Sequence, residues 1–128
     1  MPDDAAVADQ IRLVLPAEPE YGRLARITTS GLALHIGFSF REVEDLRLAV
    51  DEMIILLLRP EGRAGEIKLT FTVDQTGIAV DATTTAGADQ HWVDQGALAR
   101  FEAIVADTVD EHTVDEQVHQ VHLAKRFA

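Results

Sequence analysis

The segment EVEDLRLAVDEMIILLL, residues 42–58, decides the fold of this chain. In its first half, apolar residues recur every three or four positions and charged residues fill the other side, which is the pattern of one buried helix face. The apolar positions are Val43, Leu46, Ala49, Val50 and Met53. Residues 54–58 are apolar all round, so this end must be covered on several sides. The segment therefore predicts a helix that begins half-exposed and ends inside the core.

Residues on both sides of this segment mark the ends of the helix. Ser39 precedes Glu42 by three positions, the spacing at which a serine and a glutamate cap a helix start reciprocally. Pro60 and Gly62 follow, and both residue types interrupt helices. The charges in the first half of the segment exclude a membrane-spanning helix.

Length, composition and charge limit the classes of protein to consider. A chain of 128 residues with 47% hydrophobic content suits one packed domain, which we place at residues 10–128 after a flexible N-terminus at 1–9. The 22 acidic and 11 basic residues give a formal charge of -11, which argues against direct nucleic-acid binding and favours a partner with a basic surface. The chain has no cysteine, so disulfides and thiolate metal sites are excluded. Its N-terminus lacks an export signal, so we expect a cytoplasmic protein.

The rest of the chain predicts an α+β fold. Alternating apolar residues indicate strands at 10–16 and 117–123, and a hairpin joins strands 67–73 and 78–83. Helical spacing indicates a third helix at 96–109. A two-layer sandwich follows, with a mixed or antiparallel sheet of four to five strands and three helices on one face.

The first helix is predicted to begin at the sequence Glu18-Pro19-Glu20-Tyr21 and to end near Gly37. We expect a stripe of large apolar residues on this helix to face the core. Its members are Leu24, Ile27, Leu32, Leu34 and Ile36.

These elements carry a family resemblance. A strand ending at Pro16, a helix containing Arg26, the run Asp45–Glu52 and the hairpin resemble the bacterial anti-sigma-factor serine kinases, small relatives of the histidine-kinase and gyrase ATPase domain. The resemblance implies the histidine-kinase-like ATPase fold, a homodimer, ATP and Mg²⁺ as cofactors, and a role in stress-response regulation. It also implies two protein partners, a sigma factor and an anti-sigma-factor antagonist, with Arg26 as a partner-binding residue.

Two positions match the family's nucleotide and catalytic residues. The resemblance makes Glu52 the candidate catalytic base for a serine hydroxyl. It makes Asp81 the candidate nucleotide-binding residue, as the acid that accepts from the adenine amino group.

Other positions depart from the family pattern. The Asn that holds Mg²⁺ four residues after the glutamate is replaced by Leu56, which offers no oxygen ligand. The Asp-x-Gly-x-Gly motif is replaced by Asp-Ala-Thr-Thr-Thr at 81–85, and the glycine-rich lid retains Gly87 and Gly96 only. We therefore predict an anti-sigma-like binding module with ATP binding and kinase activity lost or impaired, and expect no cofactor.

Two further functional hypotheses remain open. One is an active serine kinase that phosphorylates an antagonist, with Glu52 as the base and the metal held by some other group. The other is a module that binds a different ligand in the emptied pocket, unless Leu56 and Trp92 fill it.

Each candidate residue also has a purely structural interpretation. Glu52 and Arg26 could be solvated helix residues, and Asp81 the polar end of a strand. His119 and His122 are three apart, which in a strand places them on opposite faces, so we expect no metal site.

Overall fold

The computed structural model describes residues 8–58, 65–85, 95–116 and 119–128. Its strands are β1 (Asp9–Pro16), β2 (Glu66–Asp74), β3 (Gly77–Thr84), β4 (Glu111–Asp115) and β5 (Gln120–Arg126). Its α-helices are α1 (Gly22–Ile36), α2 (Phe40–Leu58) and α3 (Gln95–Val105), and a short 3₁₀ helix, Pro19–Tyr21, precedes α1. The predictions for Pro60, Gly62, Gly87 and Trp92 fall outside the described residues. Within the described residues, no helix is long and apolar enough to cross a membrane.

The five strands form one antiparallel sheet in the order β1-β2-β3-β5-β4, which confirms the predicted α+β two-layer sandwich. The fifth strand is β4, an edge strand at a position where the sequence pattern predicted no strand. Its pattern is weak because only His112 and Val114 are partly shielded from solvent, while the other three residues are exposed. The third helix ends at Val105, earlier than predicted, and the chain then turns into β4.

Helix α2 confirms the prediction from residues 42–58. All five apolar positions of its first half are buried, and the second half is buried except for Ile55, whose side chain is 45% exposed. The capping box is present: the Ser39 amide donates to Glu42 Oε1 at 2.7 Å, and the Glu42 amide donates to Ser39 Oγ at 3.1 Å. These two bonds satisfy amides that the first turn of a helix leaves without partners.

The predicted core-facing stripe of α1 is wrong for three of its five members, whereas Leu32 and Ile36 are partly buried and pack against the core. Leu24, Ile27 and Leu34 are 44%, 59% and 63% exposed. The buried face consists of small residues, namely Gly22, Ala25, Thr29 and Ala33. Small side chains let α1 approach α2 closely, and Leu24, Ile27 and Leu34 are left on the outside. Gly37, with φ of 95°, ends the helix as predicted, because glycine adopts the left-handed conformation without strain.

The hairpin is confirmed, with Asp74 paired to Gly77 across a two-residue turn. Gly77 has φ of 151°, and a Cβ there would overlap the Lys125 carbonyl oxygen of neighbouring β5. The final strand begins at Gln120, after the predicted start. His119 therefore lies before the strand, with φ of 52°, and not within it as the alternation suggested.

Candidate functional site

Helix α2 places Glu52 and Leu56 one turn apart on the same buried side. Glu52 is 6% exposed and Leu56 is 3% exposed. The sequence left open whether Glu52 is a solvated helix carboxylate, and the structure answers that it is a buried one. A buried carboxylate requires compensating donors.

Arg100 of α3 supplies those donors. Its Nε lies 3.3 Å from Glu52 Oε1 and its Nη2 lies 3.3 Å from Oε2, so the guanidinium engages both carboxylate oxygens. The Arg100 side chain is itself 64% exposed, so it covers the carboxylate from the solvent side. Sequence reasoning missed this residue, because nothing in the spacing of α3 indicates which turn of α2 it meets. A carboxylate bound in this way is less available to accept a proton from a substrate hydroxyl.

The residues at the family's metal position do not fit Mg²⁺. Leu56 is buried and aliphatic, whereas Mg²⁺ requires oxygen ligands in a near-octahedral arrangement. Within the ranges that the structure describes, no group of three or more His, Asp or Glu side chains is arranged to hold a metal ion.

The structure does not bring Asp81 together with Glu52. In β3, Val80 and Ala82 face the helices and are fully buried, so Asp81 lies on the opposite, outer face of the sheet. There Asp81 Oδ1 is 2.7 Å from Nδ1 of His122 on β5, and the other ring nitrogen of His122 is 3.6 Å from Glu111 Oε1. The nucleotide-binding role of Asp81 stays a prediction, and this geometry does not favour it.

The strand residue that does face the helices near the end of β3 is Thr84. It is 7% exposed, and its hydroxyl donates to the Glu66 carbonyl oxygen at 3.2 Å. Thr84 lies three residues after Asp81, and an odd separation reverses the face of a strand. A hydroxyl therefore occupies the inward position, while the carboxylate faces outward.

Arg26 lies on the partly exposed side of α1. Its Nη1 donates to Asp51 Oδ1 of α2 at 2.8 Å, and both side chains are about one third exposed. Arg26 also lines an open groove of about 580 Å³ together with Arg23, Ile27, Ser30 and Arg47. The first helix thus presents arginines and large apolar side chains on one surface. We call this surface the α1 face, defined by Arg23, Leu24, Arg26, Ile27 and Leu34.

Comparison with known proteins supports the family resemblance. No family model matches the chain. Serine-protein kinase RsbW of Bacillus subtilis is 31% identical over 115 residues, covering 85% of this chain and 66% of that protein. RsbW of Oceanobacillus iheyensis is 37% identical over 75 residues, covering 56% and 48%, and RsbW of Listeria monocytogenes strain HCC23 is 50% identical over 50 residues, covering 39% and 32%. The chain thus spans about a third to two thirds of these relatives.

The fold and the comparisons together identify the class. A five-stranded antiparallel sheet covered by three helices, with a glutamate on the central helix, is the two-layer sandwich of the histidine-kinase-like ATPases. Within that class, the chain belongs to the bacterial anti-sigma-factor serine kinase family.

Proposed function

We propose that this protein is an anti-sigma-factor-type regulator that binds a sigma factor through the α1 face and has lost or reduced its ATP binding and kinase activity. The observation that carries the proposal is that the buried Glu52 is bound by the largely exposed Arg100, beside the buried Leu56. A phosphotransfer site must present a free carboxylate and hard oxygen ligands for the metal. Here the Arg100 guanidinium is hydrogen-bonded to both oxygens of Glu52. The side chain of Leu56 lies at the position of the family's metal ligand.

The α1 face supports the binding half of the proposal. Leu24, Ile27 and Leu34 are 44–63% exposed on one helix, and exposed apolar side chains on a shared surface are a feature of interaction sites. Arginines such as Arg23 and Arg26 beside them match the composition of interface hot spots. An antagonist that displaces the sigma factor would compete for the same face.

Calorimetric titration with Mg-ATP tests the loss of nucleotide binding. We expect no saturable heat from the parent protein. The single variant Leu56→Asn restores the oxygen ligand, and the double variant Leu56→Asn with Arg100→Ala also frees Glu52. Binding by the parent at micromolar affinity would contradict the proposal. Binding by the double variant alone would show that these two side chains are what closes the site.

Sigma-factor binding is tested separately by measuring affinity for purified sigma factors of the source organism. Ile27→Glu places a charge in the α1 face and should weaken binding at least about tenfold, as expected for an interface hot spot. Val14→Glu is the matched control, because Val14 is similarly exposed, at 50%, but lies on β1 away from the helices. Equal effects of the two variants, or no binding by the parent, would count against the α1 face as the docking surface.

The second candidate is an active serine kinase acting on an antagonist protein. The names of the relatives and the retained Glu52 favour it. If it is correct, the parent protein transfers labelled phosphate from ATP to the antagonist, and Glu52→Ala abolishes the transfer. Transfer at the same rate by Glu52→Ala would remove this candidate.

Sedimentation of the purified protein tests the homodimer that the family resemblance implies.

A further inference from the structure

A second cavity lies on the side of α2 that faces α1, about 100° round the helix from Glu52. It has a volume of about 320 Å³ and is formed between the 3₁₀ helix, the first turns of α1 and the last turns of α2. Its walls are mainly apolar, with side chains of Pro19, Ile54, Ile55 and Leu58. Ile55 is the exposed member of the apolar end of α2, so an apolar surface is left open at this point. The volume is that of small-molecule sites.

Gly22 keeps this cavity open. It has a helical φ of -57°, so its backbone conformation does not require glycine. A Cβ at this position would lie 3.5 Å from both Ile54 Cγ2 and Arg26 Nη1, which is ordinary contact. Neither backbone strain nor a steric clash therefore demands glycine at this first position of α1. A larger side chain at position 22 would reduce the free volume of the cavity.

Among the described residues, the polar side chains that border this apolar space are Arg26 and Asp51, which form an ion pair. A guanidinium has five N–H donors, and within the described part of the chain Arg26 uses one of them, on Asp51. The remaining donors can serve a ligand acceptor. Arg26 and Asp51 are the charged residues among the described side chains that line the cavity and their charges cancel, so the site favours a neutral acceptor over an anion.

We propose that this cavity binds a small neutral molecule with an apolar body and a carbonyl-type hydrogen-bond acceptor. The apolar part of the ligand packs against Ile54, Ile55 and Leu58, and the ligand's acceptor oxygen accepts a hydrogen bond from an N–H of Arg26. Since Asp51 faces α1 while Glu52 faces α3, the site is separate from the family's nucleotide position. It does not depend on the proposed sigma-factor binding.

The test uses three probes with the same ring and different head groups: acetophenone, ethylbenzene and benzoate. Each is titrated into the ¹⁵N-labelled full chain, and amide chemical shifts are followed. We expect acetophenone to give saturable shifts centred on Gly22, Ile54 and Ile55. Ethylbenzene lacks the acceptor and should bind roughly fivefold more weakly, the factor expected for one hydrogen bond. Benzoate should also bind more weakly than acetophenone.

Gly22→Leu should abolish binding because the side chain fills the cavity. Gly31→Leu is the matched control, since it makes the same substitution in the same helix where an added Cβ meets nothing within 4 Å. If Gly22→Leu does not fold, the variant Arg26→Met tests the proposal instead. Methionine keeps an apolar side chain but has no N–H donors, so acetophenone should then bind no more tightly than ethylbenzene.

Three results would overturn the proposal. They are the absence of saturable shifts with acetophenone, unchanged binding by a folded Gly22→Leu variant, and tighter binding of benzoate than of acetophenone. Shifts that appear only with a protein partner, and with none of the three probes, would identify the cavity as a socket for a partner side chain and would equally reject the small-molecule site.

Discussion

Glu52 is the residue for which burial matters most, because its carboxylate is almost wholly covered and depends on Arg100 for both oxygens. Removing one partner of such a pair leaves a buried group unsatisfied, whereas removing both does not. Removing Arg100 alone is therefore expected to lower the stability more than removing Arg100 and Glu52 together.

Arg100→Ala should lower the free energy of unfolding by about 1–3 kcal/mol, the typical cost of leaving a buried polar group without a partner. The double variant Glu52→Met with Arg100→Ala should recover most of this loss. Chemical denaturation of the two variants and the parent provides the measurement. A double variant less stable than Arg100→Ala alone would contradict this account of the pair.

Gly77 lies so close to the backbone of β5 that there is no room for a side chain. Gly77→Ala should destabilise the protein by roughly 1–3 kcal/mol or more, because φ of 151° is strained for alanine and its Cβ would also crowd Arg126 Cα at 2.8 Å. Gly31→Ala is the control and should stabilise α1 by up to about 1 kcal/mol, since that position is open and helical. Thermal unfolding of both variants measures the difference. Similar midpoints for the two would show that the hairpin can shift to admit a side chain.

At the scale of elements, the start of α2 is joined to the end of the chain. Glu42 accepts from the amide of Ser39 and, through its other oxygen, from the amide of Ala128 at 2.8 Å. Phe127 packs edge-to-face on Phe38 with ring centroids 4.7 Å apart. A single carboxylate therefore caps the central helix and fastens Ala128 to it.

These contacts make part of the stability depend on pH. The Ser39 amide, followed by the Ala128 amide, lowers the pKa of Glu42 below its ordinary value of 4.5. Because the pKa is lowered by folding, the stabilisation is fully present above pH 4.5 and is lost as the pH falls below it through the folded pKa.

Glu42→Gln preserves the capping geometry but removes the charge. The stability difference between the parent and this variant should therefore be largest near neutral pH and should shrink as the pH falls below the ordinary pKa of Glu42. Urea unfolding from pH 7 to pH 3 follows this difference. A difference that stays constant over the whole range would mean that the charge of Glu42 contributes nothing.

Helix α1 buries small side chains and exposes several large apolar ones. Its small residues face α2, while Leu24, Ile27 and Leu34 remain outside. The apolar stripe therefore predicted the positions of Leu32 and Ile36, which pack on the core, but not those of the three exposed residues. The exposed residues belong to the α1 face that we propose as the docking surface.

At the scale of the whole molecule, the formal charge of -11 should speed the encounter with the proposed sigma-factor partner where that partner presents a basic surface. The association rate should fall roughly tenfold between low and high salt, since added salt shortens the range of the electrostatic attraction. The dissociation rate should change much less. Surface plasmon resonance over a salt series measures both rates, and an association rate independent of salt would show that the net charge does not steer the encounter.

The sequence by itself determined the architecture and the central helix, because hydrophobic periodicity, turn residues and the Ser39–Glu42 spacing act locally. It also determined that Leu56 cannot hold a metal, since that follows from residue type. Only the tertiary structure decided the pairing of Glu52 with Arg100, the outward position of Asp81 beside His122, and the exposure of the α1 stripe. These depend on which helix turns and strand registers meet, and residues 41 to 48 positions apart carry no local signal of their contact.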